Sequence, residues 1–196
     1  MKKGIALLMI IFVLFGNLSC GASRSLPEDQ VSAFFDALKA RDEAVLAEYI
    51  NNDRINVLLH SKGDKAQLEQ MYSYLFEHFS YKILSVDTDG ESPTVTVEVA
   101  NADFSKVMKN YKKKAYDYTI RNLYSDKVNK KKLNRTCLKL FVAEVKKASE
   151  KKDLRTETVT VALEPNDFAT WSLILDDALM DAVMGGMVIP FVEKKE

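Results

Sequence analysis

The chain has 196 residues, of which 47% are hydrophobic, with 28 Lys plus Arg set against 28 Asp plus Glu; this suits a single folded domain with a real core and calls for no second one. His60 and His78 lie far apart with no Cys or His beside either, so metal-ligand spacing is absent and neither a metal site nor a cofactor is expected. The overall neutrality conceals a dipole: residues 103–155 hold 17 Lys plus Arg against 6 Asp plus Glu, while the rest of the chain beyond residue 19 holds 9 against 22.

The chain opens with Lys2 and Lys3, an apolar run from Ile5 to Phe15, and the exit Asn17-Leu18-Ser19-Cys20, the layout of a secretory signal. The run is too short to span a bilayer, which takes about 20 apolar residues. The segment resembles bacterial lipoprotein signals, in which a Cys directly after the cut receives a diacylglyceryl group and becomes the mature N-terminus. That resemblance implies a signal peptide over 1–19, lipidation at Cys20, a tether over 20–25 and a domain over 26–196 on the extracytoplasmic face of the cell membrane. The alternative is cleavage after Ala22 and free secretion. With Cys20 acylated, Cys137 has no intramolecular disulfide partner; on a stripe with Leu133 and Leu140 it is expected to be a buried, inert thiol.

Ser25 and Glu28 have the spacing of a capping box, and Val31, Phe34, Phe35 and Leu38 recur at helical intervals behind it. Asp42 should cap a second helix with Val45, Leu46 and Tyr49 inward. A short helix is expected over 55–59, and after Gly63-Asp64 a longer one with Leu68, Met71, Tyr72, Leu75 and Phe76 inward. From Ser80 the period becomes two. Tyr81, Ile83, Ser85 and Asp87 alternate with Lys82, Leu84 and Val86, Asp89-Gly90 supplies a hairpin turn, and Val95, Val97 and Val99 mark the returning strand. Asp87-Thr88-Asp89-Gly90 lacks the further carboxylates of a calcium loop and reads as that turn.

Asn101-Ala102-Asp103 should cap a long helix with Phe104, Met108, Tyr111, Ala115 and Tyr118 inward. A break at 125–129 leads into another helix through Leu133, Cys137, Leu140 and Phe141, so that 103–153 forms an inserted basic helical hairpin. Strands follow at 155–164 and 168–175, then a short helix from Asp176-Asp177 to Met184, stopped by Gly185-Gly186. Helices first and hairpin-connected strands after them predict an α+β domain, a curved antiparallel sheet of about four strands packed on N-terminal helices.

The segment from Val31 to Asp42, with its F-F-x-A-L-x-x-x-D pattern behind a lipoprotein signal and ahead of curling strands, resembles the cystatin-like, nuclear transport factor 2-like fold. It looks most like lipoprotein domains of Gram-positive bacteria with that fold. The resemblance implies a conical cavity between sheet and helices, for which Tyr72, Tyr81, Tyr118 and Trp171 are the candidate lining residues. It implies no particular chemistry.

No nucleophile elbow, phosphate-binding loop or metal motif occurs in the sequence, so no catalytic residue is assigned. The expected function is that of a non-enzymatic binding module of the cell envelope, for a small ligand or an envelope protein; a small isomerase or hydrolase using the cone is the alternative. Lys112, Lys113, Lys114, Lys130, Lys131 and Lys132 are the candidate contacts to an anionic lipid or wall polymer. Export argues against nucleic acid.

Overall fold

The computed structural model describes residues 26–90, 92–125, 128–166 and 170–187. Among them run α1 (Pro27–Ala40), α2 (Glu43–Leu46), α3 (Asp53–His60), α4 (Lys65–Phe76), β1 (Ser80–Asp87), β2 (Thr94–Ala102), α5 (Val107–Arg121), α6 (Lys130–Ser149), β3 (Leu154–Pro165), β4 (Trp171–Leu173) and α7 (Asp177–Val183), with a 3-10 turn at Ala47–Tyr49. The strands form one antiparallel sheet in the order β1-β2-β3-β4, so the fold is α+β, with the α5–α6 hairpin inserted between the two central strands. The N-terminal segment with Cys20 and the capping-box Ser25 lies outside the described residues.

Helix α1 follows the sequence pattern: Val31, Phe34, Phe35 and Leu38 are all fully buried. Its N-cap is Leu26, which has no capping side chain; Pro27 at the first helical position, with Glu28 and Asp29 in the first turn, suits the start instead. At Asp42 the expected cap is present, its carboxylate accepting from Ala44 N at 3.1 Å and Val45 N at 3.3 Å. Asp64, Asn129 and Asp176 cap α4, α6 and α7 in the same way.

Strand β1 departs from strict alternation. Its pairing with β2 shifts between Ile83 and Ser85, so Leu84 is a bulge and is left 46% exposed. Beyond it the face reverses: Val86 turns inward while Ser85 and Asp87 face solvent. Strand β2 carries no bulge, and Val95, Val97 and Val99 are fully buried.

The described core residues run from Val31 through Phe79 and the sheet valines to Met187 and form one cluster. One polar group is set into it. Fully buried Asn101 on β2 donates from Nδ2 to Leu75 O at 3.1 Å and to Val183 O at 2.8 Å, and accepts from Ala102 N. Those carbonyls belong to the last turns of α4 and α7, where helices leave acceptors unpaired, so a single amide ties two helix ends to the central strand.

The helical hairpin is the element furthest from expectation. Helix α5 begins at Val107, and Asp103 instead holds a turn through Ser105 N at 2.9 Å. On α6 the fully buried side is in the C-terminal half, at Val142, Glu144, Val145 and Ser149, whereas Leu133, Cys137 and Leu140 are only half-buried. The hairpin runs out beyond the core, which covers only its base.

Candidate functional site

A groove opens where α3, α4 and the end of α7 face α6. Its floor is an apolar cavity of about 190 Å³, lined among others by Leu58, Met71, Leu138, Phe141, Met184 and Met187. The parts come from distant stretches of sequence. Leu58 and Met71 project from α3 and α4, Leu138 and Phe141 from the middle of α6, and the two methionines from the chain just past α7. Gly63 lets the α3–α4 loop approach α6 closely, since a Cβ there would stand 2.7 Å from the Leu138 side chain.

Lys62 and Leu138 also line a neighbouring outer hollow of about 760 Å³, whose wall adds Asp64, Lys130, Lys131, Asn134 and Arg135. Arg135 pairs with Asp64 at 3.3 Å, and that carboxylate also caps α4 through Gln67 N. Four cations thus line this hollow against one carboxylate that is already engaged twice. An apolar floor under a cationic mouth provides both halves of an amphiphile's solvation: desolvation for a chain and charge-assisted donors for an anionic group.

None of the four residues expected to line a cone lines this groove. The Tyr72 hydroxyl donates to Leu38 O near the end of α1, and its ring carries the Arg41 guanidinium at 5.1 Å. Burial raises the Tyr72 phenol pKa well above its ordinary value of 10. Tyr81 donates to the Asp36 carboxylate at 3.0 Å and packs on Phe35 at 4.8 Å. Tyr118 is half-buried on α5 and Trp171 half-buried on β4. The aromatics are thus distributed over four elements, and Tyr72 and Tyr81 each tie their own element to α1.

The six lysines also separate. Lys112–Lys114 lie mid-way along α5, and Lys114 is bonded to the buried carboxylate of Glu144. That contact sets the run level with residue 144, about 18 Å along α6 from Lys132 at 1.5 Å per residue. Lys130 and Lys131 belong to the groove mouth. The two runs therefore do not make one patch.

Sequence reading missed Glu144 because a carboxylate on a lysine-rich helix reads as surface charge; its apolar neighbours Val142 and Val145 were the signal. It lies in a small polar cleft of about 90 Å³ with Lys106, Lys147 and Lys151. Cys137 is half-buried, and desolvation raises its thiol pKa, which lowers its thiolate fraction and nucleophilicity. A hollow of about 360 Å³ between the 48–52 turn and β4 mixes polar groups, Glu48, Asn51, Asn52 and Ser172, with Tyr49, Leu173 and Leu175, and no Lys or Arg lines it. Among the described residues no His, Cys, Asp and Glu cluster could hold a metal ion, and no helix is long and apolar enough to cross a membrane.

No family model matches the sequence, and no curated protein matches it. A solved structure is similar to it. That structure is the candidate lipoprotein ycdA of Bacillus subtilis, at 18% identity and a TM-score of 0.42, with 95% of this chain and 56% of that chain covered. This chain spans a little over half the length of that protein.

Proposed function

We propose that the protein is an envelope lipoprotein, held at the extracytoplasmic face of the cell membrane through Cys20, whose domain binds an anionic single-chain amphiphile without transforming it. The observation that carries the binding half is that the apolar floor and the cationic mouth are neighbours, with Lys62 and Leu138 lining both. The membrane half is supported by the layout of residues 1–20. Two acyl chains on Cys20 suffice for stable attachment.

The architecture is that of a cystatin-like, nuclear transport factor 2-like domain with a helical insertion, a reading supported by α1 packing across a four-stranded antiparallel meander. In such a domain a catalytic cone would open between α1 and the sheet. Here that region is filled by Phe34, Phe35, Phe79 and the valines of β2 and β3, which supports binding over an isomerase or hydrolase chemistry. The ligand site lies on the other flank, against the inserted hairpin.

The test is calorimetric titration of residues 26–196 with saturated alkanoates of rising length, beside the alcohols of the same lengths. A cavity of about 190 Å³ has room for about six methylene-sized groups, taking the ~30 Å³ of a water as the measure. Affinity should rise about fourfold per methylene, the equivalent of ~0.8 kcal/mol, and level off once the floor is full. Carboxylates should bind more tightly than alcohols, and Lys130→Gln with Lys131→Gln should narrow that gap. No dependence on chain length would refute the reading.

A further inference from the structure

Helix α5 has a second face that the groove does not use. Tyr111 packs edge-on against Phe141 at 5.3 Å, and Lys114 reaches Glu144, so these residues fix the side of α5 that faces α6. On the opposite side Tyr116 is 66% and Ile120 51% exposed, and in the turn that follows Leu123 is 59% and Tyr124 94% exposed. At about 100° per residue, Lys109, Lys112 and Lys113 fall on this same outer face, one to two turns behind the apolar group, and all three are exposed. The outer face is thus apolar toward the hairpin tip and cationic behind it.

We propose that this face docks the hairpin onto an anionic lipid bilayer, with Tyr116, Ile120, Leu123 and Tyr124 entering the interface and Lys109, Lys112 and Lys113 meeting the headgroups. The order along the helix fits that occupant. Apolar side chains flanked by tyrosine suit the boundary between acyl chains and headgroups, and lysines one or two turns back lie where their long stems reach phosphate oxygens. A polyanionic wall polymer would satisfy the lysines but leave the apolar tip in water. A second copy meeting this face would bring the same lysines together, and between residues 109 and 124 Asp117 is the only carboxylate to offset them. An anionic bilayer satisfies both halves. This inference concerns a different surface from the ligand groove and holds whether or not the groove is occupied.

The experiment uses the full chain reconstituted into vesicles of phosphatidylcholine and phosphatidylglycerol with brominated acyl chains. Trp171 is the only tryptophan, so Trp171→Phe with Tyr124→Trp leaves one indole at the hairpin tip, and the unsubstituted chain provides the reference indole on β4. The tip indole should shift to the blue and be quenched severalfold more strongly than Trp171. Its quenching should fall toward the Trp171 level in pure phosphatidylcholine, at high salt, or after Lys112→Gln with Lys113→Gln. Hydrogen exchange of the unsubstituted chain should slow at residues 116–124 when phosphatidylglycerol is present. Quenching equal to that of Trp171 together with unchanged exchange would overturn the proposal, as would concentration-dependent burial of the tip indole in the absence of lipid, which would assign the face to a second copy. The readout is depth at position 124, so a failure of anchoring at Cys20 is distinguishable from a failure of docking.

Discussion

Replacing Asn101 by Leu keeps the side-chain size but removes the amide that donates to Leu75 O at 3.1 Å and Val183 O at 2.8 Å. Both carbonyls then sit without this donor around a position that is fully buried. An acceptor left unsatisfied in the interior costs about 1–3 kcal/mol, so two give about 2–6 kcal/mol, a large share of the ~5–15 kcal/mol available to a domain. Urea denaturation of residues 26–196, followed by circular dichroism, should show the midpoint falling with the slope unchanged. Asn101→Asp sharpens the argument, because a carboxylate would face the same two carbonyls with the wrong polarity. Its pKa in the folded state should therefore lie above the ~3.9 of an unfolded Asp. The stability of that variant would be fullest below about pH 4 and would decline as pH rises through the folded pKa. A loss within about 0.5 kcal/mol for Asn101→Leu, the range of an ordinary surface site, would refute the claim that this amide joins β2 to the ends of α4 and α7.

Phe35→Ala empties a fully buried site in ring contact with Phe34, Phe79 and Tyr81 and should cost about 3–5 kcal/mol by the same denaturation assay, while Asp36→Ala next to it, exposed and accepting from the Tyr81 hydroxyl, should cost far less. Gly185→Ala should destabilise by at least about 2 kcal/mol, since φ is +57° and a Cβ would stand 2.1 Å from Ala102 O. Burial, aided by the nearby Glu48 carboxylate, pushes the Tyr49 phenol up to about 12. The folded state therefore holds this proton more tightly than the unfolded state, and the associated stability is present below pH 10 and lost as pH rises from about 10 to 12; ultraviolet titration of wild type minus Tyr49→Phe should place that ionisation near 12. Cys20→Ser should release the protein from the membrane fraction and abolish incorporation of labelled fatty acid, with equal labelling of both forms as the contrary result.

Much of the scaffold was legible because it depends on short periods. The α1 stripe, the valines of β2 and β3, and the caps at Asp42 and Asp176 each follow from a few neighbouring residues. The bulge at Leu84 was not, because Ser85 and Val86 both fit a period-two pattern and only pairing with β2 shows which faces inward. Helical periodicity also placed α5 and α6 without indicating how far the hairpin extends beyond the core; Leu133 and Leu140 fit a buried stripe but have too little protein above them. The groove was invisible to any local reading, since Leu58, Met71, Leu138 and Met187 meet only in three dimensions. The aromatic residues misled for the same reason: Tyr72 and Tyr81 are oriented by carbonyl and carboxylate partners on α1 that sequence spacing does not reveal.

The most direct test of the ligand site uses methionine methyl groups as reporters. Residues 26–196 contain five methionines; Met71, Met184 and Met187 line the groove, whereas Met108 and Met180 do not. With methyl-labelled methionine, titration with decanoate should shift the resonances of the three groove methyls together and saturably and leave the other two in place. Shifts spread over all five methyls, or confined to Met108 and Met180, would contradict an amphiphile site between α3, α4 and α6.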